Sequence, residues 1–180
     1  MPFRRLILAA LTGLVALTFA DAGEPVVRGA IRTTVLLGDS CLTVPAAETY
    51  LRPGTRLELR PCRNAPSQLF EWNVLSFEIK AGGLCVDAFR VGPGATRPGD
   101  PVGLWYCNAA EHQKWYPARK DERFADAFNL IVGTADSTLC MSVADPNHVD
   151  GARLELASCD GRSRQWFRLV PWPLEQQPAS

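Results

Sequence analysis

Charge of one sign is missing from this chain: 19 acidic and 19 basic residues leave no net charge, and neither sign forms a long run. Without such a footprint, nucleic acid and anionic membrane surfaces are not expected partners. Histidine is scarce, with only His112 and His148. No C-x2-C or H-x3-H spacing occurs, so the six cysteines do not read as a zinc site and no metal is expected. G-x-S-x-G and H-E-x-x-H are absent as well, which removes the simplest triad and zinc-hydrolase patterns. One long apolar run exists, residues 6–19. As a helix it would span about 21 Å, short of the roughly 30 Å hydrocarbon core, so a membrane anchor fits it poorly.

That run has Arg4 and Arg5 before it and Ala20-Asp21-Ala22 after it, the order of a basic region, an apolar stretch and a small-residue cleavage site. Residues 1–22 are therefore expected to be a signal peptide, and the mature chain to begin near Gly23. The run has no cysteine just after it for lipid attachment. The product is expected to be secreted or periplasmic. In an oxidising compartment six cysteines read as a disulfide framework.

Present instead is a repeat. Residues 54–70, 99–115 and 151–167 share the template G-x-x-[LV]-x-L-x-x-C-x5-Q-x-[WF], each preceded by a further cysteine, at Cys41, Cys85 and Cys140. One pair per unit is the simplest pairing: Cys41 with Cys62, Cys85 with Cys107, Cys140 with Cys159. Each bond would close a loop of about 20 residues and stabilise by roughly 3 kcal/mol in the chain-entropy model.

Fourteen glycines, fourteen prolines and short apolar runs between turn residues predict an all-β chain. With 47% apolar residues over 180 positions, one domain can bury a sizeable core. Residues 31–37 read as the first strand, with Val26 and Val27 before it. Strands are also expected at residues 41–44, 56–59 and 70–74, with residues 77–79 and the turn 81–83 leading into the second unit. Leu57 and Leu59 should face inward, with Arg56, Glu58 and Arg60 turned the other way. Residues 45–53 and the Gly- and Pro-rich 91–101 read as loops, and the charged run 119–123 as solvated surface. Residues 170–180, with three prolines, read as a tail that forms neither helix nor central strand. Three units of about four strands each predict a pseudo-threefold assembly that buries apolar faces no unit could bury alone. A propeller of three blades would be too small.

The three Q-x-[WF] copies, in register with glycine, leucine and two cysteines, resemble the ricin B-type lectins, whose β-trefoil carries a Q-x-W motif and a cysteine pair in each lobe. The resemblance spans residues 36–169 and implies a trefoil domain over residues 23–170, followed by the tail, 171–180. It also implies that Gln68, Gln113 and Gln165 are mainly structural. The sugar pocket it implies has an Asp two residues after the first cysteine, an aromatic two before the second, and polar groups just before and at the Gln. An Asp can accept from two sugar hydroxyls while an aromatic covers the C–H face of the ring. Only the second lobe has the full set: Asp87, Trp105, His112 and Gln113. Lobe one has Thr43, Arg60, Ser67 and Gln68, and lobe three Ser142, Ala157, Arg164 and Gln165. The second lobe departs from the family at Gly103, where a polar side chain often helps, and at His112, where Asn is common. The structural alternative is that Asp87 caps a turn and Trp105 packs under the 91–101 loop.

The expected function is carbohydrate binding without chemistry, toward galactose-type sugars or glycoconjugates. No cofactor and no catalytic residue is expected. The terminal run S-R-Q-W-F-R-L-V-P-W-P-L-E, with Q-L-F-E before Ile79-Lys80, also resembles the cell-binding A and C subunits of cytolethal distending toxins. Other toxin subunits would then be partners, although those subunits usually lack a cysteine pair in the first lobe and this chain has Cys41 and Cys62. A glycosidase would need two carboxylates across a cleft, and no residues remain for a catalytic domain. For a trefoil protease inhibitor, nothing selects a reactive loop.

Overall fold

The computed structural model describes residues 30–45, 51–90, 94–118, 127–134, 136–145 and 150–174. The expected leader, Val26, Val27, the charged run 119–123 and the end of the tail lie outside them. The described residues form twelve strands: β1 Ala30–Leu37, β2 Ser40–Thr43, β3 Glu58–Pro61, β4 Phe70–Asn73, β5 Ile79–Ala81, β6 Leu84–Ala88, β7 Val102–Trp105, β8 Trp115–Ala118, β9 Asn129–Val132, β10 Leu139–Val143, β11 Leu154–Ser158 and β12 Arg168–Pro171. Four strands fall in each repeat, and the chain is an all-β trefoil. No helix among the described residues is long and apolar enough to cross a membrane.

Each lobe is built on one antiparallel hairpin: β2 with β3, β6 with β7, β10 with β11. The registers match. The first cysteine of each lobe faces Arg60, Trp105 or Ala157, and the residue two further on, Thr43, Asp87 or Ser142, faces Glu58, Gly103 or Glu155. The expected disulfides have formed, Cys41–Cys62, Cys85–Cys107 and Cys140–Cys159, with sequence separations of 21, 22 and 19.

The lobes close on one another through the first glycine of the template. Gly54 N donates to Leu104 O at 2.7 Å, Gly99 N to Leu156 O at 2.8 Å, and Gly151 N to Leu59 O at 2.7 Å, so each lobe grips the next in a complete cycle. All three glycines have positive φ, 93°, 88° and 80°, which a side chain would oppose. The inward leucines Leu57, Leu59, Leu104, Leu154 and Leu156 meet Phe70, Trp115 and Phe167 in one fully buried core. The aromatic that varies between Phe and Trp thus does the same work in all three copies.

Two expectations need correction. The strand expected at 56–59 lies at Glu58–Pro61, because Leu57 N already donates to Val102 O in the second lobe and Leu104 N to Thr55 O. The chain pairs first with its neighbour and then with its own hairpin. Glu58 is itself buried, 8% exposed, paired with Thr43 in the hairpin and bridged to Arg153 of the third lobe. Of the residues leading into the second unit, Phe77 adopts a left-handed φ of 59° in a turn and β5 begins at Ile79. At the C-terminus, Val170 and Pro171 belong to β12, paired with Thr34 and Thr33 of β1. Proline is tolerated there because it ends the strand.

Candidate functional site

The candidate site is built on the β6–β7 hairpin. Strand alternation sends Cys85 and Asp87 to one face, and the register sets Trp105 opposite Cys85 and Gly103 opposite Asp87. Asp87 and Trp105 therefore share a face, one pair apart. Behind Cys107 the chain turns through Glu111–Gln113, a short 3-10 turn that returns His112 and Gln113 to the hairpin. Gln113 Nε2 donates to Asp87 Oδ2 at 2.7 Å, and His112 Nε2 lies 3.5 Å from the same oxygen. The structure thus brings all four expected residues to one end of the second lobe.

Their environments differ sharply. Asp87 is 2% exposed, whereas Trp105 is 43% exposed. Burial raises the Asp87 pKa above its ordinary value, against the opposing Gln113 hydrogen bond and the charges of His112 and Arg90. Asp87 accepts from the Gln113 side chain, and part of the Trp105 ring faces solvent. Phe89 meets the indole edge-on at 5.9 Å between centroids, and a Cβ on Gly54 would stand 3.8 Å from Trp105 Cζ3.

Gly103 has a physical cause. A Cβ there would collide with the Thr55 carbonyl oxygen of the first lobe and stand 2.7 Å from the Phe89 ring. The place where a polar side chain often helps is occupied by lobe closure and by Phe89.

Gln113 also explains its two counterparts. Each motif glutamine accepts from the backbone N–H five residues earlier, at Arg63, Asn108 and Asp160, and donates to the carbonyl of Pro61, Tyr106 or Ser158. All three are buried braces of the loop around the second cysteine. What varies is the spare contact of Nε2: Asp87 in the second lobe, and Thr43 Oγ1 at 3.1 Å in the first.

The other lobes hold different chemistry at the same places. In lobe one, Arg60 stands where Trp105 stands, its Nε donating to Glu58 Oε1 at 2.8 Å and its Nη1 to Asp150 Oδ1 at 3.3 Å. A pocket of about 400 Å³ there is lined by Thr43, Glu58, Arg60, Ser67 and Gln68 among others. In lobe three Ser142 is buried, Ala157 takes the aromatic position, and Arg164 is bonded to Asp160 at 2.9 Å. Neither offers a stacking ring.

Sequence reasoning missed Phe89, Tyr106 and Glu58. Tyr106 is 63% exposed and its ring lies 6.2 Å from that of Trp105. Its signal was its place beside Trp105 in L-W-Y-C, masked by the alternation that sends strand neighbours to opposite faces. Among the described residues no group of three or more His, Cys, Asp and Glu side chains is placed to hold a metal ion.

The family model of the ricin-type beta-trefoil lectin domain matches residues 27–167. No curated protein matches the chain. Among solved structures, the fold is similar to a designed 3-fold symmetric protein, ThreeFoil, with a TM-score of 0.65, 18% identity, and 77% of this chain and 97% of that chain covered. It is similar to a non-toxic homologue of type II RIPs from Momordica charantia (bitter gourd) in complex with α-methyl-D-galactoside, with a TM-score of 0.61, 16% identity, and 80% of this chain and 49% of that chain covered. A mosquitocidal holotoxin is also similar, at a TM-score of 0.60 and 11% identity over 77% of this chain and 17% of that chain. The chain thus spans about half of the bitter gourd protein and a small part of the holotoxin, and identities this low speak for the fold alone. On the family match, which covers most of its length, and on the three closed, disulfide-paired Q-x-[WF] lobes, this chain belongs to the ricin-type β-trefoil lectin domain family.

Proposed function

We propose that the chain is an exported lectin that binds glycans through its second lobe and performs no chemistry on them. The observation that carries this reading is the pairing, on one hairpin face, of a buried carboxylate fixed by Gln113 with an exposed indole beside it. Asp87 offers its remaining lone pairs to sugar hydroxyls, His112 adds a polar group, and Trp105 covers the apolar face of the ring. The galactose-type expectation is supported by the α-methyl-D-galactoside bound in the bitter gourd relative. Export through the 1–22 leader, to the periplasm or outside the cell, is supported by three disulfides, which persist in oxidising compartments. One shallow site binds weakly, so firm attachment needs clustering or a partner.

A glycan array on the mature, oxidised protein tests the reading. The strongest glycan is then titrated against variants, with melting temperatures to verify folding. Asp87→Ala should cost about 1–3 kcal/mol of binding and Trp105→Ala about 1 kcal/mol, while Thr43→Ala and Ser142→Ala bind like the parent. Folded Asp87 and Trp105 variants that bind like the parent would place recognition elsewhere.

The second reading is the cell-binding subunit of a cytolethal distending toxin-like complex. It is supported by the short terminal resemblance and by the similar fold within a mosquitocidal holotoxin. Co-purification with a nuclease encoded beside the gene would favour it.

A further inference from the structure

Tyr106 should not be where it is. Along a strand, neighbouring side chains point to opposite faces, so the residue after Trp105 belongs on the far side of the hairpin. Strand β7 ends at Trp105, however, and the next peptide is turned: Gln113 Nε2 donates to the Tyr106 carbonyl oxygen at 2.8 Å, and Cys107 is tied back to Cys85. The two rings are thereby brought to 6.2 Å between centroids at 72° to one another. A single exposed aromatic needs no explanation. Here two, 43% and 63% exposed, form one solvent-facing corner at the open edge of the candidate site. The same glutamine side chain holds both ends of it, Asp87 on one side and the Tyr106 backbone on the other. Phe89 also meets the indole, at 5.9 Å between centroids and 72°.

We infer that Tyr106 forms a second subsite, so that the second lobe takes a glycan of at least two sugar rings, not a lone monosaccharide. The inference rests on the proposed glycan reading of Asp87 and Trp105. The first ring sits against Trp105 with its hydroxyls toward Asp87. The ring joined to it extends toward the exposed Tyr106, whose ring offers a C–H platform and whose hydroxyl a polar edge. Two aromatic planes at a steep angle suit a bent glycosidic linkage better than a flat ligand.

The test is calorimetric titration of the mature, disulfide-bonded protein with two probes, methyl α-D-galactoside and lactose. The parent should bind lactose roughly two- to tenfold more tightly, the worth of one additional ring contact. Tyr106→Ala should bring the lactose affinity down to that for the methyl galactoside, and Tyr106→Phe should keep most of the advantage, with melting curves confirming that both variants fold. A parent that binds both probes equally, or a Tyr106→Ala protein that keeps the full lactose advantage, overturns the second subsite and leaves the glycan reading standing. A folded parent that binds neither probe overturns the galactose-type reading and the inference with it.

Discussion

At Asp87 burial and charge oppose one another. Its carboxyl is buried, and burial raises its pKa. The fold therefore favours the protonated form: that contribution is complete below the ordinary carboxylate range and is lost as pH rises through the raised value. Asp87→Asn keeps the shape and an acceptor for Gln113 Nε2 while removing the buried charge. Its melting temperature should exceed the parent's at neutral pH, and the difference should close as pH falls through the raised pKa, as thermal melts across the acidic range would show. The same variant should bind glycan more weakly. A lower melting temperature at neutral pH would mean that the charge is structural. The identities of Asp87, Trp105, His112 and Gln113 were legible because the motif counts residues from cysteines. That Asp87 is sunk while Trp105 is open was not legible, since both stand in equivalent places on adjoining strands and only packing distinguishes them.

At the scale of the element, the repeat prescribes hairpin, cysteine pair and brace, and the structure shows what the leading glycine adds. Gly54, Gly99 and Gly151 each reach into the next lobe with a positive φ. A Cβ on Gly99 would meet nothing within 4 Å, so Gly99→Ala isolates the backbone cost, about 1–2 kcal/mol for a left-handed non-glycine residue. Chemical denaturation should show that loss with the disulfides intact. The strand expected at 56–59 was misplaced by two residues. Apolar alternation marks which residues face inward, and it does so correctly for Leu57 and Leu59. It does not reveal which neighbour the backbone pairs with, and Leu57 pairs with the second lobe before Glu58 joins its own hairpin. At the other end, Asn64 grips Leu174 by two hydrogen bonds, 2.7 and 3.1 Å, and Arg32 lies over the Trp172 ring at 5.1 Å. The tail proposed to begin at residue 171 is fastened to the first lobe at least as far as Leu174.

For the molecule as a whole, the three glycine bonds form a cycle, and a cycle cannot lose one member and keep its closure. Truncation after Trp115 removes the partners of both Gly99 N and Leu59 O and strips Leu154, Leu156 and Phe167 from the common core. The fragment should be unfolded or aggregated. A sharp melting transition with a native-like near-UV spectrum in a two-lobe protein would show instead that lobes are independent. The sequence by itself determined the all-β trefoil and its three disulfides, because spacing from cysteine to glutamine repeats and periodic spacing survives in one dimension. Only the tertiary structure decided that Gly103 must stay bare, that Glu58 is buried where it bridges to Arg153 of the third lobe, and that Tyr106, held through Gln113, turns beside Trp105. Each of these depends on atoms from another lobe or from a turn across the hairpin, contacts between residues whose separation along the chain follows no period.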